Sequence, residues 1–208
     1  MKAAVIGATS ASGKVLTKKL LEAGHSVTAY VRTPEKVELS DDKLAVIQGD
    51  VQNDEALTSA LKGSEVVFSF LGPKGKVKQI AAQGTENILK AMDANKIKRL
   101  VLVSVAGIAV PDDNRGKTFI DALLRTFLKD MYADREAQLE VLRGSKVKWS
   151  ALRVPRLTDE QPSGGVEAFF GKPSPTMKLS RADLADFMIR IADNEEWINQ
   201  APIVVSKS

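Results

Sequence analysis

Two glycines, Gly7 and Gly13, bracket a hydroxyl-rich stretch of Ala8, Thr9, Ser10, Ala11 and Ser12. An apolar run at 3–6 precedes them, and 14–21 follows with the apolar spacing of a helix. A glycine turn from a first strand into a first helix presents unpaired backbone N–H groups and a partial positive charge. That is the chemistry of a pyrophosphate seat, because glycine lets the backbone turn tightly and come close to the phosphates. Ser10 stands where a middle glycine is usual and lacks glycine's freedom at positive φ. Its hydroxyl, with those of Thr9 and Ser12, is a phosphate donor. The alternative is an ordinary strand–helix turn.

The other chemistry-bearing residues fall where later apolar runs end. Sites that prefer NAD hold the ribose 2′-hydroxyl with an acid after the second strand. Here that place holds Arg32, Thr33 and Lys36. Arg32 suits a 2′-phosphate and stacks on adenine, which favours NADP(H) and leaves NAD(H) as the second choice. The alternative is a solvated basic loop. Asp50 follows the third run as a candidate acceptor for the adenine amino group, with Val51 against the ring. An ordinary turn aspartate is the competing reading. Gly72 admits backbone close to a ribose after the fourth run, and Lys74 is in reach of a phosphate or an anionic substrate. Ser104 ends the fifth run, facing a nicotinamide.

These positions need a scaffold that brings successive strand ends together. The pattern predicts strands at 26–31, 44–47, 65–71, 99–104, 147–153 and 203–205. Helices are expected at 54–61, with Asn53 or Asp54 as N-cap, and at 75–95. One or two more span 119–142 with a break near Lys129, and a last one runs from Arg181 to about Ala192 behind a Ser180 N-cap. Near-continuous apolar runs at 66–67 and 100–103 mark strands buried on both faces. Strand–helix alternation points to an α/β fold with a doubly wound parallel sheet, in one domain over 1–208. Residues 158–180 read as loop, expected to form a short C-terminal lid over the strand ends.

The chain has 208 residues, no cysteine and one histidine, His25. Disulfides and thiolate chemistry are excluded, and no metal site is expected. His25 falls before the second strand, at the end of the sheet opposite the expected site. Net charge is +4, with the basic residues scattered, so neither nucleic acid nor a membrane is expected as a partner. A cytoplasmic location fits this composition. Met177, Met188, Phe169 and Phe170 either line a substrate pocket or pack as core and lid.

Taken in order, Gly-Ala-Thr-x-x-x-Gly at 7–13, Val-Arg-x-Pro at 31–34, Gly-Asp-Val at 49–51, Leu-Gly at 71–72 and Val-Ser-x-Ala-Gly at 103–107 resemble the atypical short-chain dehydrogenase/reductases. The similarity is to the NAD(P)-binding NmrA-like and biliverdin/flavin-reductase-like branch. Stretches at 142–145, 149–155 and 180–185 fit it as well. The resemblance implies a Rossmann-like sheet with a nicotinamide cofactor across its strand ends. It carries cofactor contacts to Gly7, Thr9, Ser10, Ala11, Ser12, Gly13, Arg32, Asp50, Val51, Leu71, Gly72 and Ser104. It also brings Pro155 close to the nicotinamide.

The family's Tyr-x-x-x-Lys unit has its nearest match at Tyr132, but Glu136 replaces the lysine. A carboxylate there raises a phenol's pKa rather than lowering it. Arg135 is expected on another face of the helix. Tyr132 is thus either a general acid or a half-buried helix tyrosine. The first functional expectation is an NADPH-dependent reductase of a flat or carbonyl small molecule, such as a flavin or quinone, with Ser104 and Tyr132 as catalytic candidates. The alternative is a non-catalytic NADP(H)-sensing regulator with a protein partner. A sugar-nucleotide epimerase or dehydratase ranks last, because the chain lacks a large C-terminal substrate domain and an intact Tyr-x-x-x-Lys.

Overall fold

A computed structural model describes residues 1–72, 80–113, 128–173 and 176–207. Five parallel pairings build the heart of the molecule: β1 (Lys2–Ile6) lies between β2 (Ser26–Val31) and β4 (Val66–Ser69), with β3 (Leu44–Gln48), β5 (Arg99–Val105) and β6 (Lys148–Val154) outside them. With β10 (Ile203–Ser206) and β8 (Val166–Phe169), the order is β3-β2-β1-β4-β5-β6-β10-β8. Among the described strands of this sheet, only β8 runs antiparallel, against β10. The chain winds outward from β1 to β3, then crosses back to β4. This reversal opens a crevice at the carboxyl ends of β1 and β4, where open α/β sheets bind ligands.

Alternation along each strand divides the core into two. Ala4 and Ile6 of β1, with Leu100 and Leu102 of β5, pack on one face with Ile88 of α3 (Ala81–Ala94) and Leu139 of α4 (Lys129–Arg143). Ala3, Val5 and Val101 face the other way, against Leu16 of α1 (Ala11–Glu22) and Met188 of α5 (Arg181–Asp193). Helix α2 (Asp54–Ala60) completes the first layer. The near-continuous apolar runs follow from this, because a strand covered on both faces has no solvent side.

The helix starts carry their sequence signals. Asn53 caps α2 by accepting from Ala56 N, and Ser180 caps α5 by accepting from Asp183 N. Helix α3 has no such cap of its own. Asp134 reaches across from α4, and its carboxylate accepts from the N–H groups of Ile80, Ala81 and Ala82. Helix α4 begins at Lys129, and residues 114–127 lie outside the described ones.

Residues 158–180 are not loop throughout. Val166–Phe169 adds β8 to the sheet edge, and β9 (Lys178–Ser180) pairs with β7 (Arg156–Thr158). These strands have three or four residues each, too few to display a period. An ion pair pins the segment. Arg153 and Asp113 are both fully buried, and Asp113 also accepts from Gly171 N at 3.1 Å.

Candidate functional site

The turn between β1 and α1 is built by its two glycines. Gly7 has φ +81°, a left-handed backbone conformation. At Gly13 a β-carbon would overlap the Gly7 carbonyl oxygen and lie 2.9 Å from Ala8 Cα. The helix start is therefore pressed onto the loop. Ser10 has φ −72° and ψ 157° and is the N-cap of α1, its Oγ accepting from Gly13 N at 3.0 Å. No positive φ is required at this position, so serine replaces glycine without strain and adds a cap. The N–H groups of Ala11 and Ser12 have no partner within the helix and, with the helix dipole, form an anion seat.

Strand ends on either side close this seat into a cleft of about 220 Å³. Gly7, Thr9, Ser10, Arg32, Thr33, Asp50, Val51, Leu71 and Gly72 all line it. Ile6, Tyr30, Val31, Gly49, Phe70 and Ile80 complete the wall. Arg32 is exposed at the rim, and Val51 is buried. The Asp50 carboxylate turns its own loop by accepting from Gln52 N at 3.0 Å. Its backbone carbonyl accepts from the Tyr30 hydroxyl at 2.9 Å. Burial, and then the charge of Asp50, push the Tyr30 phenol above its ordinary value. Asn87 of α3 donates to the Val51 carbonyl at 2.9 Å. Sequence reasoning gave Tyr30, Gly49, Phe70 and Asn87 no role, although all but Asn87 stand at the strand ends, which was the available signal.

Some expected residues lie elsewhere. Ser12 and Gly13 are buried in the first turn of α1, and Ala11 is exposed there. Pro155 follows β6 and is half-buried. Lys74 lies outside the described residues. Ser104 and Tyr132 do not line the cleft. Ser104 is 1 % exposed, and its Oγ is a buried hydroxyl with no hydrogen-bond partner among the described residues. Strand alternation puts it on the same face as Leu100 and Leu102, the face that also packs Tyr132. The Tyr132 hydroxyl lies against Gly107, just beyond β5.

Arg135 is where the structure departs from expectation. It does not point to another face but shares the buried face of α4 with Tyr132, the two being one helical turn apart. Its Nη2 donates to the Leu71 carbonyl at 2.5 Å. Its Nη1 reaches the carbonyl of Val103 at 3.4 Å and Gln138 Oε1 at 3.0 Å. Gln138 passes the network on to Thr85 of α3 at 2.9 Å. Burial draws the guanidinium below its ordinary pKa, against the opposing charge of Asp134. Glu136, at the family's lysine position, is half-exposed.

Elsewhere, His25 Nδ1 is 3.0 Å from the Met1 nitrogen, at the amino ends of the strands. Met188 is core, whereas Phe169 and Met177 pack half-buried against Ala106, Ile203 and Val205. Among the described residues no cluster of His, Asp or Glu suits a metal ion, and no helix is long and apolar enough to cross a membrane.

A Rossmann-type sheet with a glycine-turn cleft at its switch point defines the class. Residues 7–195 match the family described as NAD(P)H-binding, and the chain belongs to that family. It is 33 % identical over 216 residues to an isoflavone reductase homologue of Nicotiana tabacum, covering 96 % of this chain and 66 % of that protein. It is 27 % identical to an oxidoreductase of Emericella nidulans, covering 93 % and 77 % respectively. Matches to uncharacterised mycobacterial proteins, 35 % identical, cover 50 % of this chain but only 12 % of theirs. Among solved structures, a short-chain dehydrogenase/reductase from Veillonella parvula in complex with NADP superposes with TM-score 0.79 at 22 % identity, over 100 % of this chain and 95 % of that one. An anaerobilin reductase from Escherichia coli O157:H7 superposes with TM-score 0.82 at 15 % identity, over 100 % and 98 %. At these identities the superpositions speak for the fold.

Proposed function

We propose that this protein is an NADPH-dependent reductase of a flat or carbonyl small molecule. The observation that carries the reading is one continuous cleft. It takes in the turn at Gly7, Thr9 and Ser10 that leads into α1, together with Arg32, Asp50, Leu71 and Gly72. When bound, the cofactor supplies a hydride, which is the part of the chemistry the protein cannot.

In this reading, the N–H groups at Ala11 and Ser12 and the hydroxyl of Thr9 hold the pyrophosphate. Asp50 and Val51 hold the adenine. Arg32, exposed at the rim beside Thr33, meets the 2′-phosphate and sets the preference for NADP(H) over NAD(H). Ser104, Tyr132 and Pro155 belong to the nicotinamide half. The Ser104 hydroxyl, buried and without a hydrogen-bond partner among the described residues, supports a donor role toward the nicotinamide or the acceptor, because a buried polar group without a partner is costly. In the same reading the Tyr132 hydroxyl, which lies against Gly107 just beyond β5, returns a proton after hydride transfer. Half-buried Phe169 and Met177 offer an apolar wall to a flat acceptor. The name of the Nicotiana relative favours a reductase over an epimerase.

The test is NADPH oxidation with flavins, quinones and aldehydes at saturating cofactor. Turnover of a flat acceptor is expected, and silence across the panel refutes the catalytic reading. Glu136 at the lysine position favours a second reading, an NADP(H)-sensing regulator with a protein partner. Equal affinity for NADP⁺ and NADPH, with no partner recovered, removes that one.

A further inference from the structure

We infer that Arg135 biases the site toward the reduced cofactor, so that NADPH binds more tightly than NADP⁺. This rests on the dinucleotide reading above. Arg135 is 6 % exposed and sits beneath the ends of β4 and β5, holding the Leu71 and Val103 carbonyls. It stays charged, since arginine does not deprotonate in proteins. The carboxylate whose charge opposes it is Asp134, but both oxygens of that group are engaged by the three N–H groups that open α3. That helix terminus already offsets the carboxylate charge. Gln138 and the two carbonyls are neutral partners, so the guanidinium is a buried cation under the strand ends, opposed only by an Asp134 charge that the α3 terminus shares.

In the proposed arrangement the nicotinamide lies over the end of β5, whose Val103 carbonyl Arg135 holds. The oxidised ring carries a positive charge and the reduced ring carries none. A fixed cation beneath the ring therefore repels only the oxidised form. Two unit charges about 10 Å apart, at an effective dielectric near 20, change an equilibrium about tenfold. The same repulsion works against forming the oxidised ring while the cofactor is bound, and it assists departure of the oxidised cofactor after hydride transfer. Arg135 is a positioning residue in this scheme, acting through charge and through the strand ends it holds.

The test is the ratio of the NADP⁺ and NADPH dissociation constants, measured by calorimetry on the full chain. Wild type is expected to favour NADPH about tenfold. Arg135→Gln, which keeps hydrogen bonding but removes the charge, is expected to lose that preference by tightening on NADP⁺. Arg135→Lys is expected to keep it. A wild type with equal affinities overturns the inference without any variant. So does an Arg135→Gln protein whose ratio matches wild type. Equal weakening for both cofactors means a structural role only, and also overturns it. If wild type binds neither dinucleotide, the cofactor reading itself fails, and this inference fails with it.

Discussion

Replacing Asp113 with alanine is expected to be among the most damaging single changes in this protein. Arg153 donates from Nε to Ala201 O at 2.6 Å, from Nη1 to Ile108 O at 2.7 Å and Asp113 Oδ2 at 2.8 Å, and from Nη2 to Asp113 Oδ1 at 2.5 Å. Asp113 also accepts from Val110 N at 3.0 Å and Gly171 N at 3.1 Å. One contact set thus ties the loop after β5 to β6, to the start of β10 and to the segment after β8. Asp113→Ala leaves a guanidinium of zero exposure without its counter-charge and strips two backbone N–H groups of their acceptor. Breaking such a pair costs about 3–5 kcal/mol, which in a chain of this size lowers the melting temperature by roughly 6–20 °C.

The assay is thermal unfolding followed by circular dichroism, for Asp113→Ala, Arg153→Met and the double variant. The double variant removes both charges, so it is expected to recover about 1–3 kcal/mol relative to the sum of the singles. The effect has a pH signature. Burial pushes the Asp113 carboxyl up, but hydrogen bonds from Arg153, Val110 and Gly171 and the charge of Arg153 outweigh it, leaving it below its ordinary 3.8. A carboxyl depressed on folding contributes stability that is present above its unfolded value and lost as pH falls through its folded value. The gap between wild type and Asp113→Ala is therefore full at neutral pH and closes only in strong acid. A melting temperature within about 3 °C of wild type at neutral pH, or strictly additive singles, refutes the reasoning.

Three further outcomes are expected. Ser10→Gly is expected to cost only a few tenths of a kcal/mol in chemical denaturation, against about 1 kcal/mol for Ser10→Ala, because the serine serves as a cap at ordinary φ; equal costs count against the cap. Arg32→Ala is expected to weaken NADPH binding about ten- to a hundredfold while leaving NADH nearly unchanged, since a charge-assisted contact is worth about 1.5–3 kcal/mol; equal loss for both cofactors removes the 2′-phosphate assignment. Ser104→Ala is expected to keep or slightly raise the melting temperature, because the hydroxyl it removes has no partner among the described residues. It should nevertheless lower turnover, and a clear drop in stability would place that hydroxyl in the fold rather than the site.

Much of this protein is legible in one dimension, where the signal is local. The glycine turn, the Asn53 and Ser180 caps, and the doubly buried strands all follow from residues within a few positions of one another. The alternation of elements points to a doubly wound parallel sheet, whose strand order the structure supplies. With the order set, Gly7, Arg32, Asp50 and Gly72 must share one edge, and they do line one cleft.

Tertiary structure decided what depends on distant partners. That α3 is capped by Asp134, 53 residues from Ala81, has no local mark. The short β8 exists only because β10 offers it an edge. Arg135 shows the difference most clearly. By its sequence it is one arginine beside a misplaced glutamate. Only folding brings the ends of β4 and β5 over α4, and only then does burial give its charge reach, because field lines that water would screen pass through protein instead.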